Sequence, residues 1–138
     1  MLCGVELEHD WGLAGHSDAD VGVHALIDAL LGAAGSGDIG ELFPDTDAAY
    51  KDACSIDLLA NVGGRLSDDG WTVENVDLTL VCEQPKLAVH RAAMRGRLAA
   101  ALSVDPAVVS IKATTTEGMG FEGRGEGIAA HAVCLLSR

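Results

Sequence analysis

The stretch "TVENVDLTLVCEQPKLAVHRAAMRGRLAAALSVDPAVVSIKATT", residues 72–115, carries two strands and a helix, and that order sets the architecture. Its first part, 72–83, alternates apolar and polar side chains and is rich in Val, Thr and Leu, the period of a strand. Pro85 then opens a helix predicted over 86–102, with proline in an early position that a helix tolerates. "AVVSIKATT" (107–115) is the second strand. A helix is predicted over 54–67, ending before "SDDG", and "IAAHAVCLLS" (128–137) reads as a closing strand. Upstream, residues 17–34 read as a helix. Ser17 is its N-cap, Asp20 bonds back as in a capping box, and Val23, Leu26, Ile27, Leu30 and Leu31 form its apolar face. "LCGVEL" (2–7) reads as a short strand and "GSGDIGELFPDTD" (35–47) as a loop. The order predicts an α/β (α+β) fold, a mixed sheet with helices packed on one face.

A chain of 138 residues is the usual size of one domain, so a single domain over 1–138 is expected. Hydrophobic residues make up 49% and aromatics 4%, so the core must be built from Ala, Val, Leu and Ile. No apolar run reaches the roughly 18 residues of a membrane span, and the N-terminus has no signal or transit pattern; a cytoplasmic protein is expected. The net charge of −12, with nine scattered Lys and Arg, argues against a nucleic-acid partner. The same charge means that any anionic ligand needs metal cations or backbone N–H groups at its site. Cys3, Cys54, Cys82 and Cys134 lie far apart without a C-x-x-C and are read as buried thiols.

Three stretches carry chemistry. In "GHSDADVGVHALIDALLG" (15–32), His16, Asp20, His24 and Asp28 recur every four residues, so neighbours lie side by side on a helix. Asp28 can then reach His24 and fix its tautomer. For the aspartates a solvated face, with Asp18 and Asp20 favouring the positive end of the helix dipole, is the preferred reading, and one His with one Asp is not a metal site. In "KATTTEGMGFEGRGEG" (112–127) three threonines lead into a loop with five glycines, a backbone that can approach an anion closely. Glu117 is a candidate hard-cation ligand there and Arg124 a candidate phosphate partner, against the alternative of a plain glycine-rich turn. In "CEQPKLAVH" (82–90), Lys86 sits near a predicted helix N-terminus, where it could meet a phosphate or a base.

Together "GHSDADVGVHALIDALLGAAGSGDIGELFPDTD", "PK" at 85–86 and "KATTTEGMGFEGRGEGIA" resemble the 2-C-methyl-D-erythritol 2,4-cyclodiphosphate synthase family of the non-mevalonate isoprenoid pathway, over nearly the whole chain. The resemblance implies a homotrimer with active sites between subunits. It implies zinc, a second divalent ion (Mg²⁺ or Mn²⁺), and cyclisation of 4-diphosphocytidyl-2-C-methyl-D-erythritol 2-phosphate with release of CMP. By the same resemblance His24 is a zinc ligand, and His16 and Ser17 contact the phosphorylated erythritol end. Asp38, Ile39 and Gly40 hold the erythritol hydroxyls, and Phe43, Pro44, Asp45, Thr46 and Asp47 form a mobile cover. Pro85, Lys86, Leu87 and Ala88 form the cytidine corner. Thr114, Thr115, Thr116 and Glu117 form the diphosphate segment, with Glu117 on the second metal, and Phe121 and Arg124 are further substrate contacts. Glu117, Thr115 and His16 are the implied catalytic groups.

The family opens with a strand bearing Asp-x-His, which supplies two more zinc ligands; no Asp-x-His occurs in this chain. Glu8 and Asp10 of "EHD" fall by register in a hairpin away from the site. Truncation is the favoured explanation because the other motifs show no decay. A separated cytidylyltransferase domain, to which the family is sometimes fused, and a non-catalytic relative that binds cytidine nucleotides or isoprenoid precursors are the alternatives.

Overall fold

The computed structural model describes residues 1–8, 18–44, 46–47, 50 and 53–138. Its helices are α1 (Val21–Ala34), α2 (Ile39–Leu42), α3 (Ser55–Asp68), α4 (Arg91–Leu102) and α5 (Gly120–Gly123); its strands are β1 (Thr72–Val81), β2 (Val109–Thr114) and β3 (Ala129–Ser137). β1 is central in the order β2-β1-β3, parallel to β2 and antiparallel to β3, so the sheet is mixed as expected. No described helix is long and apolar enough to cross a membrane.

Period-2 alternation divides the sheet into two faces. Val76, Leu78 and Leu80 of β1 and Val109 and Ile111 of β2 point inward, where α1 and α4 pack on the sheet and α3 packs against both of those helices. Each helix contributes an apolar stripe: Val23, Leu26, Ile27 and Leu30 from α1, Leu59 and Val62 from α3, Met94 and Leu98 from α4, all fully buried. Each such aliphatic side chain contributes roughly 1.5–3 kcal/mol by leaving water. Among the described residues no helix packs on the opposite face: Val133 and Leu135 are 68% and 61% exposed, beside an ion pair between Lys112 Nζ and Asp77 Oδ2 at 2.7 Å.

Several predicted boundaries are corrected. Helix α1 begins at Val21 and not at 17, because Ala19 takes a left-handed φ of 56° that no helix continues. Its N-cap is Asp20, fully buried, whose Oδ1 accepts from Val23 N at 3.1 Å and from Cys3 N at 2.7 Å, while Oδ2 accepts from Gly4 N at 2.7 Å. Residues 2–7 are accordingly not a strand. Leu2 and Val5 exchange two backbone hydrogen bonds across a tight turn in which Cys3 and Gly4 both have positive φ, and Asp20 holds that turn against α1. The 35–47 loop contains the short helix α2, capped by Asp38 Oδ1 on Glu41 N at 2.8 Å. Helix α4 starts at Arg91 instead of 86; the Gln84–Pro85 peptide is cis, and Leu87 turns into the core before the helix begins.

Candidate active site

Helix α1 packs mainly along β3, with its first turn over the end of β1. A Cβ at Gly22 would lie 3.3 Å from Leu80 Cδ2 and 2.5 Å from Cys3 Sγ, so only glycine lets the helix start this close. Farther along α1, Cys134 Sγ of β3 donates to Ala29 O at 3.3 Å. The first turn of α1, with His24, therefore lies over the same end of the sheet from which the parallel strands β1 and β2 send out their C-terminal connections. Ligands of open α/β sheets gather at that end.

Two of those connections form a cleft of about 170 Å³ lined by Cys82, Pro85, Lys86, Leu87 and Ala88 on one side and Ala113, Thr114 and Thr115 on the other. Cys82 N donates to Thr114 O at 3.0 Å, which carries the β1–β2 pairing one step past the strand. Lys86 Nζ donates to Glu83 O at 3.2 Å and is exposed. With α4 starting later than predicted, it stands on an irregular segment and not at a helix N-terminus. Burial pushes the Cys82 thiol up from its ordinary range; Lys86 opposes that shift and Glu83 adds to it.

The loop after β2 is held by a residue that the sequence did not mark. Glu83, half-buried, accepts from Thr116 N at 3.0 Å and from Gly118 N at 3.4 Å through Oε1. Thr115 Oγ1 donates to Glu117 Oε1 at 2.8 Å, and Thr116 Oγ1 donates to Met119 O. Glu117 is exposed and has a φ of 54°, a left-handed conformation unusual for a side chain of its size. Where the loop folds back, a Cβ at Gly123 would fall 2.2 Å from Gly118 C, so the two arms touch only because residue 123 is glycine. Phe121 is 45% exposed. Arg124 is bidentate on Glu126, Nε to Oε1 at 2.8 Å and Nη2 to Oε2 at 3.0 Å. That hydrogen bonding raises the guanidinium pKa and lowers that of the Glu126 carboxyl. As folded here, the candidate phosphate partner Arg124 is engaged by its own chain.

Around His24 the bonding differs from what its spacing suggests. Its Nε2 lies 3.0 Å from Ser55 Oγ, whose hydroxyl donates to Asp18 Oδ1 at 2.5 Å. Asp28 Oδ1 accepts from Ile39 N at 2.8 Å, so this carboxylate ties α1 to the Asp38–Gly40 segment. Phe43 packs edge-on to Tyr50 with ring centroids 5.2 Å apart; Pro44 is half-buried, and Thr46 and Asp47 are exposed. His16, Ser17 and Asp45 lie outside the described residues, as does Asp10.

Glu117 fits a hard cation shared with ligand phosphates, since Mg²⁺ is commonly held by one or two carboxylates plus phosphate oxygens. For zinc the described share is His24 alone. Among the described residues no three His, Cys, Asp or Glu side chains are grouped to hold a metal, fewer than the three protein ligands of a typical catalytic zinc.

The sequence profile of the YgbB family matches residues 1–137. The chain belongs to the YgbB family. Relatives of this YgbB-family chain include the 2-C-methyl-D-erythritol 2,4-cyclodiphosphate synthase of Methylococcus capsulatus, 59% identical over 138 residues, which are 100% of this chain and 87% of that protein. Another is the bifunctional enzyme IspD/IspF of Novosphingobium aromaticivorans, 56% identical over 135 residues, 98% of this chain and 35% of that longer protein. Among solved structures, the bifunctional IspDF from Campylobacter jejuni matches with a TM-score of 0.94 at 43% identity, covering 99% of this chain and 37% of that one. A 2C-methyl-D-erythritol-2,4-cyclodiphosphate synthase in its CDP-bound form matches with a TM-score of 0.90 at 34% identity, covering 99% and 89%.

Proposed function

We propose that this chain is one cyclodiphosphate synthase domain that converts 4-diphosphocytidyl-2-C-methyl-D-erythritol 2-phosphate to 2-C-methyl-D-erythritol 2,4-cyclodiphosphate, a step toward isoprenoid precursors in the cytoplasm. An oxygen of the 2-phosphate bonds to the β-phosphorus, the bond from that phosphorus to the α–β bridging oxygen breaks, and CMP departs with the electron pair. The observation that carries this reading is the cleft that sets Pro85–Ala88 against Thr114 and Thr115, with Glu117 two residues beyond Thr115 and accepting from its hydroxyl.

In this reading the cytidine end sits against Pro85, Lys86, Leu87 and Ala88, and the hydroxyls of Thr114, Thr115 and Thr116 face the diphosphate. Asp38, Ile39 and Gly40 take the erythritol hydroxyls, under a cover formed by residues 43–47. His16 and Ser17 meet the 2-phosphate, and Phe121 and Arg124 add contacts. Glu117 holds a divalent cation, Mg²⁺ or Mn²⁺, and His24 is assigned to zinc; bound metal supplies neutralisation of phosphate charge that a chain of net charge −12 lacks. The residues themselves orient the two phosphates in line, which is most of what phosphoryl transfer requires. A homotrimer with sites between subunits belongs to the same proposal, supported by the uncovered sheet face bearing Val133 and Leu135. The fused relatives support an association with a cytidylyltransferase.

A second reading, a trimeric module that binds cytidine nucleotides or isoprenoid precursors without turnover, is favoured by one observation: no three metal-binding side chains meet among the described residues. A ³¹P NMR time course with the diphosphocytidyl substrate, Mg²⁺ and Zn²⁺ separates the two. Appearance of CMP and the cyclic diphosphate in proportion to protein supports the synthase. CDP binding without turnover supports the module.

A further inference from the structure

The two walls of the cleft are joined by one side chain that lines neither. Glu83 stands two residues before Pro85, and its half-buried carboxylate crosses to the loop after β2, where Oε1 accepts from Thr116 N at 3.0 Å and from Gly118 N at 3.4 Å. Amides two residues apart that converge on one point form an anion-holding concavity, the kind a glycine-rich loop can offer a phosphate. Here the chain fills it with its own carboxylate. Glu117 and Gly118, with φ of 54° and 81°, supply the left-handed turn that brings both N–H groups round. Met119 N closes the loop behind them on Thr116 O at 3.1 Å. The intervening amides are left over: those of Thr115 and Glu117 find no acceptor among the described residues. On the opposite wall Lys86 Nζ donates to the backbone oxygen of the same Glu83.

We propose that Glu83 is a positioning residue: by filling this concavity it fixes Thr114–Thr116 opposite Pro85–Ala88 at the spacing a nucleoside diphosphate needs, and it decides which loop amides remain for the diphosphate, those of Thr115 and Glu117. The inference rests on the reading of the cleft as a cytidine diphosphate site and goes further, naming the group that sets the distance between its walls. Glu83 acts through the loop and does not touch the ligand. An acid can stand this close to an anion site because its charge is already met by two backbone donors, which hold it more firmly than they would a neutral acceptor.

The test separates the accepting oxygen from the charge. Glu83→Gln keeps an acceptor and Glu83→Ala removes it, while both lose the negative charge, so the two variants are compared with each other; circular dichroism checks that they fold. Without ligand, ¹H–¹⁵N spectra of the full chain are expected to show the Thr116 and Gly118 amides moving upfield in Glu83→Ala and staying near their original positions in Glu83→Gln. Titration with CDP and with cytidine, in a chelator so that no metal enters, reads the consequence. Glu83→Ala is expected to bind CDP about fivefold more weakly than Glu83→Gln, the weight of one hydrogen bond, and to bind cytidine, which has no phosphate, within about twofold. Amides unmoved by Glu83→Ala, or equal CDP affinities in the two variants, overturn the positioning role alone. An equal loss for cytidine overturns it too, since the whole cleft would then have collapsed. Failure of the unaltered chain to bind CDP overturns the cleft reading and the proposal together.

Discussion

Two acidic residues sit in opposite circumstances at the same end of the molecule. Asp20 is fully buried, and its two oxygens accept three backbone N–H groups, from Cys3, Gly4 and Val23. Glu117 is exposed, has a left-handed backbone, and accepts from the hydroxyl of Thr115. The first carboxylate is consumed by the fold: it caps α1 and fastens the 2–5 turn to it. The second is held out on a loop at a conformational cost, an arrangement that suits binding something else. In a chain with so many carboxylates, what separates a structural acid from a functional one is how much of its bonding capacity its own backbone has taken.

That contrast can be broken from the structural side first. Asp20→Ala leaves three backbone donors without that acceptor, two of them buried, and is expected to cost about 4 kcal/mol of folding free energy, read by urea denaturation. A midpoint equal to that of the unaltered chain would show that the buried carboxylate anchors nothing. From the functional side, Glu117→Gln is expected to leave the denaturation midpoint in place and lower turnover at least about 100-fold, the scale of a lost charge-stabilising group. Glu117→Gly should be equally inactive yet more stable by about 1 kcal/mol, since glycine adopts the left-handed conformation freely. Loss of stability in that variant would mean that the side chain serves the fold after all.

The third prediction concerns pH. Burial, and then the charge of Asp20, hold the Cys3 thiol protonated far above its ordinary range. Below the unfolded value of about 8.5 the thiol is protonated in both states and stability is at its full level; above it only the unfolded chain ionises. Folding stability should therefore fall by about 1.4 kcal/mol per pH unit on that account, and Cys3→Ala should flatten the slope. An equally steep slope in the variant would place its origin elsewhere. The smallest effect is expected at Glu83, where Glu83→Gln keeps an accepting oxygen for Thr116 and Gly118 and should change turnover less than about threefold. Glu83→Ala, which removes the acceptor, should lose about 1 kcal/mol of loop stabilisation. Equal activity in the two would show that the loop holds its shape without the strut.

Much of this was legible in the sequence wherever a period was set by burial on one side. The strand at 72–81, the helix at 55–68 and the closing strand at 129–137 fall within a few residues of their predicted limits, because each packs one face on the core. The starts of α1 and α4 were not legible. Ala19 turns left-handed, and the helix waits for Asp20, because that carboxylate bonds to Cys3 and Gly4, 16 to 17 residues away. At 86–90 the pattern suits a helix, but burial of Leu87 draws the chain inward and makes this segment a wall of the cleft. The cleft's two sides were both named in advance; that they face each other is a consequence of the parallel β1–β2 pairing. Glu83 and Ser55 went unmarked, and Asp18 reads locally as an acid favouring the helix dipole, because each works through a partner at least 31 residues distant, which no local spacing encodes. The acid at 83, directly after a buried strand and ahead of a glycine-rich loop, was the one local sign available.

The reach of Glu83 from the β1–α4 connection to the amides of Thr116 and Gly118 has a consequence for motion. Two loops joined by a single carboxylate cannot open separately without breaking those bonds, so they form one cooperative unit in local unfolding. Amide exchange at residues 116 and 118 should share one opening free energy and respond together when the cleft at 85–88, on the far side of the strut, is filled.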